Sequence, residues 1–354
     1  MEKTYQNRLS NFELLRIFAM FLILVSHYAQ HGLLPTIVTK TFAIQFFTMY
    51  LHTLGAIGVT LFVLLTGYFM IDKKIEIKHF FNIAIETIFY SWCIYGITVN
   101  IFKHSNMYYA ESTFPILTGQ YWFVTAYLIL YLMIPLLNKL FYTLDKLSLK
   151  RYIFLFIFIW FILPLFSNQI DLKSSSVTDF ICIYYIGAYI KKYGFPFFEN
   201  KFNIMLTVLL SEGIICIYQL LHLIKHIFIE NRFMYITWSN SVLTTFTSIS
   251  IFYLFKNYSL RYSPTINYFS SSALAVYLIT ENICVRKIIW VDIFHCNLFN
   301  NGFYVFLNII IALFASYMIC TIIDKIRMKL LGQWLLQYVE NVYNKIFYFI
   351  TKYI

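Results

Sequence analysis

Apolar residues run in long blocks along this chain, separated by short polar stretches. Ten blocks stand out, at 12–30, 46–71, 79–101, 121–141, 151–167, 177–190, 203–223, 237–255, 267–285 and 303–323. A helix that crosses a bilayer needs about 20 predominantly apolar residues. The pattern therefore predicts an all-α fold, a polytopic integral membrane bundle of about ten transmembrane helices. The block 177–190 is the shortest of the ten.

Composition strengthens this picture. Of 354 residues, 60% are hydrophobic and 12% charged, against about 45–50% and 25% in a soluble domain. A water-soluble globule would have nowhere to hide so much apolar surface. The net charge of +11 suggests nucleic acid at first sight, but no soluble basic module is present to bind it. The lysines and arginines follow the blocks instead. With the N-terminus inside, 19 fall in inner connections and seven in outer ones, counting Arg286 and Lys287 as outer. That bias is the positive-inside rule, and it places both termini in the cytoplasm. A missed or invented span would scramble the alternation.

The rest of the chain adds little further organisation. Residues 1–323 read as one membrane domain. Residues 324–354 mix apolar positions with scattered lysines and read as a cytoplasmic amphipathic tail lying on the membrane surface. The six cysteines, 93, 182, 216, 284, 296 and 320, form no C-x-x-C and no metal-ligand spacing. They are expected to pack, and no metal is expected. The N-terminus has a basic residue before its apolar run but no small-residue cleavage site, so it is expected to be retained.

Polar residues inside the blocks carry the chemical interest, because a charge at the bilayer centre costs at least about 2.5–3.5 kcal/mol. The first block holds Arg16 and His27. Eleven residues of helix advance about 16.5 Å and turn through three turns plus about 20°, so both side chains share one face. Ser10 and Glu13 have the spacing of a capping box that would start this helix at the cytosolic surface. Two readings stand side by side. Arg16 snorkels to the headgroups and pairs with Glu13, with His27 a satisfied core histidine; or the pair has a chemical task.

The surrounding motifs bear on that choice. "NFELLRI" at 11–17, with ten residues between Arg16 and His27, resembles the opening of the membrane-bound acyltransferase family 3. "GAIGVTLFVLLTGYFM" at 55–70 is similar to its second-helix motif, with Thr66 where a serine is more usual. "QYWFVTAYLILYLMIPLL" at 120–137, "YYIGAYIKKYG" at 184–194 and "SSALAVYLITENICVRKIIW" at 271–290 also match, in order along nearly the whole chain. One position departs: Thr280 stands where relatives often carry a histidine. Either that histidine is dispensable here, or Glu281 or His52 takes its part.

The resemblance implies an O-acyltransferase that takes an acyl group, most often acetyl from acetyl-CoA, to a hydroxyl of a cell-surface polysaccharide or its lipid-linked precursor. Such a task needs an anion-binding group near the cytosol, a base deep in the membrane and an oxyanion stabiliser. Arg16 suits the first, since a guanidinium grips phosphate bidentately. His27 suits the second. Gly67 and Tyr68, near Arg16 in depth, would let a cofactor approach closely, although Gly67 equally suits tight helix packing. Trp122 would stack on a sugar, or serve in the interfacial aromatic belt.

Glu86, Glu212, Glu281 and His52 are further ionisable residues within blocks; Glu281 is favoured for catalysis because it lies in a matching motif, and His52 is a candidate for substrate binding. His31 shares the face of His27 as an outer relay or as a wetted loop residue. Some relatives carry a fused esterase-like domain; without one, transfer is expected to go directly to the acceptor or through a separate extracellular protein. The Phe, Ile, Tyr and Lys content suits an AT-rich bacterial genome, hence a plasma-membrane location. Two other classes remain in view. A transporter or flippase of polysaccharide precursors would show repeats and broken helices; only six prolines and no repeat are found. A polysaccharide polymerase would carry a large arginine-bearing outer loop, whereas the longest outer connection is 102–120.

Overall fold

A computed structural model describes residues 9–102, 108–163, 166, 176–225 and 241–353, which form helices and no strand. Lys3, Arg8, Lys103, Lys173 and Arg232, and positions 164–165, 167 and 237–240 of two apolar blocks, lie outside the described residues. The chain is an all-α, multi-pass membrane bundle. Among the described residues, six helical runs are long and apolar enough to cross a bilayer: Ser10–Thr39, Phe42–Met70, Ile77–Ile101, Trp122–Thr143, Lys201–Ile224 and Gly302–Asn341.

The first run is α1 (Ser10–His27), which passes into a π turn at Tyr28–Leu33 and a 3-10 stretch at Leu34–Thr39. Then come α2 (Phe42–Met70), α3 (Ile77–Phe102), a short α4 (Tyr109–Thr113), α5 (Trp122–Thr143) and α6 (Lys146–Ile157). They are followed by α7 (Ser176–Lys192), α8 (Lys201–Lys225) and α9 (Val242–Lys256). The ninth apolar block is broken into α10 (Pro264–Ser270) and α11 (Ala273–Thr280), and the last helix is α12 (Gly302–Tyr353).

Local rules explain some ends. Asp145 caps α6 by accepting from the N–H groups of Leu147 and Ser148 at 3.0 and 3.2 Å, satisfying donors that a helix start leaves open. The expected box at α1 does not form. Leu9 holds the N-cap position with no side-chain capping bond, and Ser10 is already the first helical residue; its Oγ accepts from the N–H of Ser263 at 2.8 Å. Glu13 turns to Arg16 and Ser270. Partners from α10 and the residue before it replace the local ones.

Without a hydrophobic drive inside lipid, helices associate through close packing of small residues. A Cβ on Gly58 of α2 would sit 2.5 Å from the carbonyl oxygen of Ala19, and one on Gly55 2.6 Å from the Ser26 side chain. α1 therefore lies directly against α2. On another side of α2, Gly67 meets the Tyr184 carbonyl and Gly187 of α7 meets the Leu64 carbonyl. These contacts set the position of α1, which carries Arg16 and His27.

Two elements differ from the expected pattern. The serine run 270–272 interrupts the ninth block: Ser270 donates to Glu13, and Ser271 donates to the Tyr268 carbonyl at 2.8 Å. The last helix passes residue 323 without a break, so the expected division at 323/324 falls inside one helix. Its first residues beyond that point are packed. Arg327 Nη2 contacts Glu86 at 2.9 Å and Asp324 at 2.7 Å, and Tyr90 donates to Asp324 at 2.9 Å.

Candidate active site

α1 ends at His27, and the wider π turn that follows keeps His31 beside it, with ring centroids 5.8 Å apart. Both imidazoles reach one carboxylate oxygen. His27 Nε2 is 3.2 Å and His31 Nε2 2.9 Å from Glu281 Oε2, while Arg286 Nη1 is 3.3 Å from Oε1. His27 and Glu281 are each only 8% exposed. An ionised carboxylate can only accept, so His31 carries its hydrogen on Nε2, and the carboxylate facing His27 Nε2 favours the same tautomer there. A neutral His27 then has its lone pair on Nδ1, which is buried and has no hydrogen-bond partner among the described residues.

Glu281 is the first residue past α11, in a turn held from below. Asn282 Nδ2 donates to the Tyr121 hydroxyl at 2.8 Å, and that hydroxyl donates to the Leu278 carbonyl at 2.9 Å. Asn282 Oδ1 accepts from the N–H of Cys284 at 2.9 Å. The carboxylate is thus placed by a buried turn rather than by a free loop.

A cavity of about 530 Å³ leads toward this network. In the orientation set by the basic residues, its cytosolic part carries Arg16, Lys73 and His79, and its inner part Phe123 and Tyr277. Arg16 is 34% exposed and is ion-paired to Glu13, the pairing weighed for it, while it also lines the cavity. Tyr277 stands between the cavity and His27, with its ring 6.0 Å from the imidazole.

The other candidates are placed as follows. Gly67 faces α7, so the room that its missing Cβ leaves is filled by Tyr184 rather than opening on the cavity. Tyr68 packs against Phe12, Phe69 and Phe252, with Lys191 Nζ 4.7 Å from its ring centroid. It lines an adjoining cytosolic depression of about 690 Å³ with Lys256 and Arg261. His52 accepts the Ser26 hydroxyl on its carbonyl at 2.7 Å, and its ring lies within electrostatic reach of His27 and His31.

Trp122, 43% exposed, packs on Phe123 and Phe180 and stays outside the carboxylate network, which its neighbour Tyr121 enters. Thr280 bonds back to the Val276 carbonyl at 2.8 Å within α11. Glu86 pairs with Arg327. Glu212 accepts from Tyr50 at 3.1 Å and Thr247 at 2.8 Å, an interhelical bond of the structural kind.

Four residues of this constellation escape sequence reasoning: Arg286, Tyr277, Asn282 and Tyr121. Arg286 left a trace, as a cation at the outer end of the ninth block, against the general bias. Tyr277, Asn282 and Tyr121 lie in motif segments but have no spacing of their own that marks them, and the two tyrosines are among 30.

No curated protein and no solved structure matches this chain. A family model described as an acyltransferase domain matches residues 9–325, from the start of α1 to the packed residues beyond 323. The chain belongs to acyltransferase family 3 and is a multi-pass membrane protein built for acyl transfer.

Proposed function

We propose that this protein is an O-acetyltransferase of a bacterial plasma membrane. It moves acetyl from cytosolic acetyl-CoA to a hydroxyl of a cell-surface polysaccharide or its lipid-linked precursor. One arrangement carries the reading: a cavity that begins at Arg16 and ends at Tyr277, beside a histidine held by Glu281. Arg16 and Lys73 offer charge for the phosphates of coenzyme A, and the apolar wall of Met20, Ile23 and Phe62 suits a pantetheine arm. The neighbouring depression with Tyr68, Lys256 and Arg261 shares Leu9 and Phe12 with the cavity and offers further charge for a nucleotide.

At the inner end, His27 Nδ1 takes the proton of the acceptor hydroxyl, and Glu281 stabilises the imidazolium that forms. General base catalysis of this kind contributes about 10²–10⁴-fold. The acceptor is a sugar hydroxyl presented from outside, or a separate extracellular protein that passes the acetyl group on. His52 and Trp122 are the candidates for acceptor contact.

The test is the ester-acetyl content of surface polysaccharide in cells carrying wild type, His27→Ala or no copy. Loss of acetyl in both defective strains, with the variant present in the membrane, supports the reading. Unchanged acetylation without the protein removes it.

A further inference from the structure

The reaction needs a group to hold the negative charge that develops on the thioester oxygen, and neither Arg16 nor His27 is placed to do so. Arg16 lies near the cytosolic end of the cavity, about 16.5 Å along α1 from His27, and is paired with Glu13. His27 is committed to proton transfer. Arg286, the arginine of the carboxylate network, is bound to Glu281.

The inner wall offers one other polar hydrogen in the right place. Tyr277 is 94% buried by exposure of 6%, lines the cavity and sits 6.0 Å, ring to ring, from His27. Its hydroxyl finds no hydrogen-bond acceptor among the described residues. A buried phenol normally finds a partner for its hydrogen; here the backbone of Phe123 approaches the oxygen as a donor, the O–H hydrogen keeps no acceptor, and the residue that carries it lines the cavity. The ring itself is held by Tyr121, Phe123 and His27, with centroids 5.9, 5.9 and 6.0 Å away. A donor on a ring held in this way is pre-oriented, which is the property that makes an oxyanion site effective.

We infer that Tyr277 is a catalytic residue, the hydrogen-bond donor to the thioester oxygen during acetyl transfer. This rests on the acetyl-transfer reading above. In the step, the acceptor oxygen bonds to the acetyl carbon as its proton passes to His27 Nδ1. The carbonyl π pair moves to oxygen, where Tyr277 O–H holds it. The pair then returns, the C–S bond breaks, and the thiolate of coenzyme A takes the proton from Nδ1. The ester and free thiol are the products, and nothing else is consumed.

The test uses Tyr277→Phe in the full-length protein. Phe keeps the ring and its aromatic contacts and removes only the hydroxyl. Two readouts are taken: ester-acetyl on the host's surface polysaccharide under limiting reaction time, and thermal stabilisation of the detergent-solubilised protein by coenzyme A. Tyr277→Phe is expected to lose about 10²–10³-fold in transfer rate while keeping wild-type stabilisation by coenzyme A. Arg16→Ala is expected to lose the stabilisation. Transfer by Tyr277→Phe at the wild-type rate overturns the assignment and leaves acetyl transfer standing. A Tyr277→Phe protein that also loses stabilisation by coenzyme A overturns it too, since the hydroxyl would then serve binding. Absence of acetyl transfer in the wild type removes both readings.

Discussion

Glu281 spends both of its oxygens on fixing geometry. Oε2 serves His27 and His31, and Oε1 serves Arg286. With Arg286 on one side and two imidazole N–H groups on the other, the carboxylate cannot rotate without breaking a charge-assisted contact. His31 and Arg286 therefore act as positioning residues for His27. His31→Asn and Arg286→Met are each expected to lower kcat about 10²-fold, the cost of misplacing a reacting group by about 1 Å, with the KM for acetyl-CoA unchanged because Arg16 is untouched. Steady-state kinetics on membranes separates the two parameters; a raised KM with normal kcat would contradict the positioning role.

Arg16 and His27 are legible in the sequence because each interrupts an apolar block. Arg286 and Tyr277 are not, since one lies at a block's end and the other is one tyrosine among 30. Glu281 is readable as a candidate; that His31 meets it is not, because 250 residues separate the two.

Elements are placed by their smallest residues. Gly58 lets α1 touch α2, and Gly67 with Gly187 lets α7 touch it from another side. A side chain at 67 would run into the Tyr184 backbone, which has no flexible end to move aside. Gly67→Val is expected to fail in assembly, with reduced membrane abundance and a lower melting temperature, whereas a residue that only bounds a cofactor site would leave both intact and raise KM. At the cytosolic edge the same pair of helices is joined by Lys192 and Asp72, 2.5 Å apart. Hydrogen bonds from Lys192 and Tyr142 hold the Asp72 carboxyl below its usual range.

The apolar blocks themselves foretell these helices, since their length and composition leave few alternatives in lipid. The break at residues 271–272 is not foretold, because it depends on Ser270 meeting Glu13 on α1. Nor is the use of the Ser10 oxygen, which serves Ser263 rather than a cap.

Across the molecule, the last helix ties the end of the bundle to the site. At 52 residues and 1.5 Å each it is about 78 Å long, well beyond the hydrocarbon thickness of about 30 Å. Its anchor is Arg327, which serves Glu86, Asp324 and Tyr90 together. Next to it, Lys325 donates to Ser271, a residue of the cavity wall, at 2.5 Å. Arg327→Ala would leave Glu86 and Asp324 without their cation, a loss of about 3–5 kcal/mol for a buried pair. Lys78→Ala breaks only an exposed pair with Glu340 and is expected to leave melting unchanged. Thermal unfolding of both variants in detergent compares them directly, and equal melting temperatures would show that the Arg327 cluster contributes nothing.

The cavity has an electrical consequence. A space that reaches from the cytosolic edge to Tyr277 brings the cytosol's potential inward with it, wherever ions and water can follow. The transmembrane voltage then falls over the thinner layer that remains, and the field there is stronger. Moving one elementary charge through the full drop is worth about 2.3 kcal/mol per 100 mV. Arg16, at the cavity's mouth, feels little of that field, while His27, Glu281, His31 and Arg286 stand beyond its inner end. The groups that would grip the donor and the groups that would move its proton are thus under different electrical control.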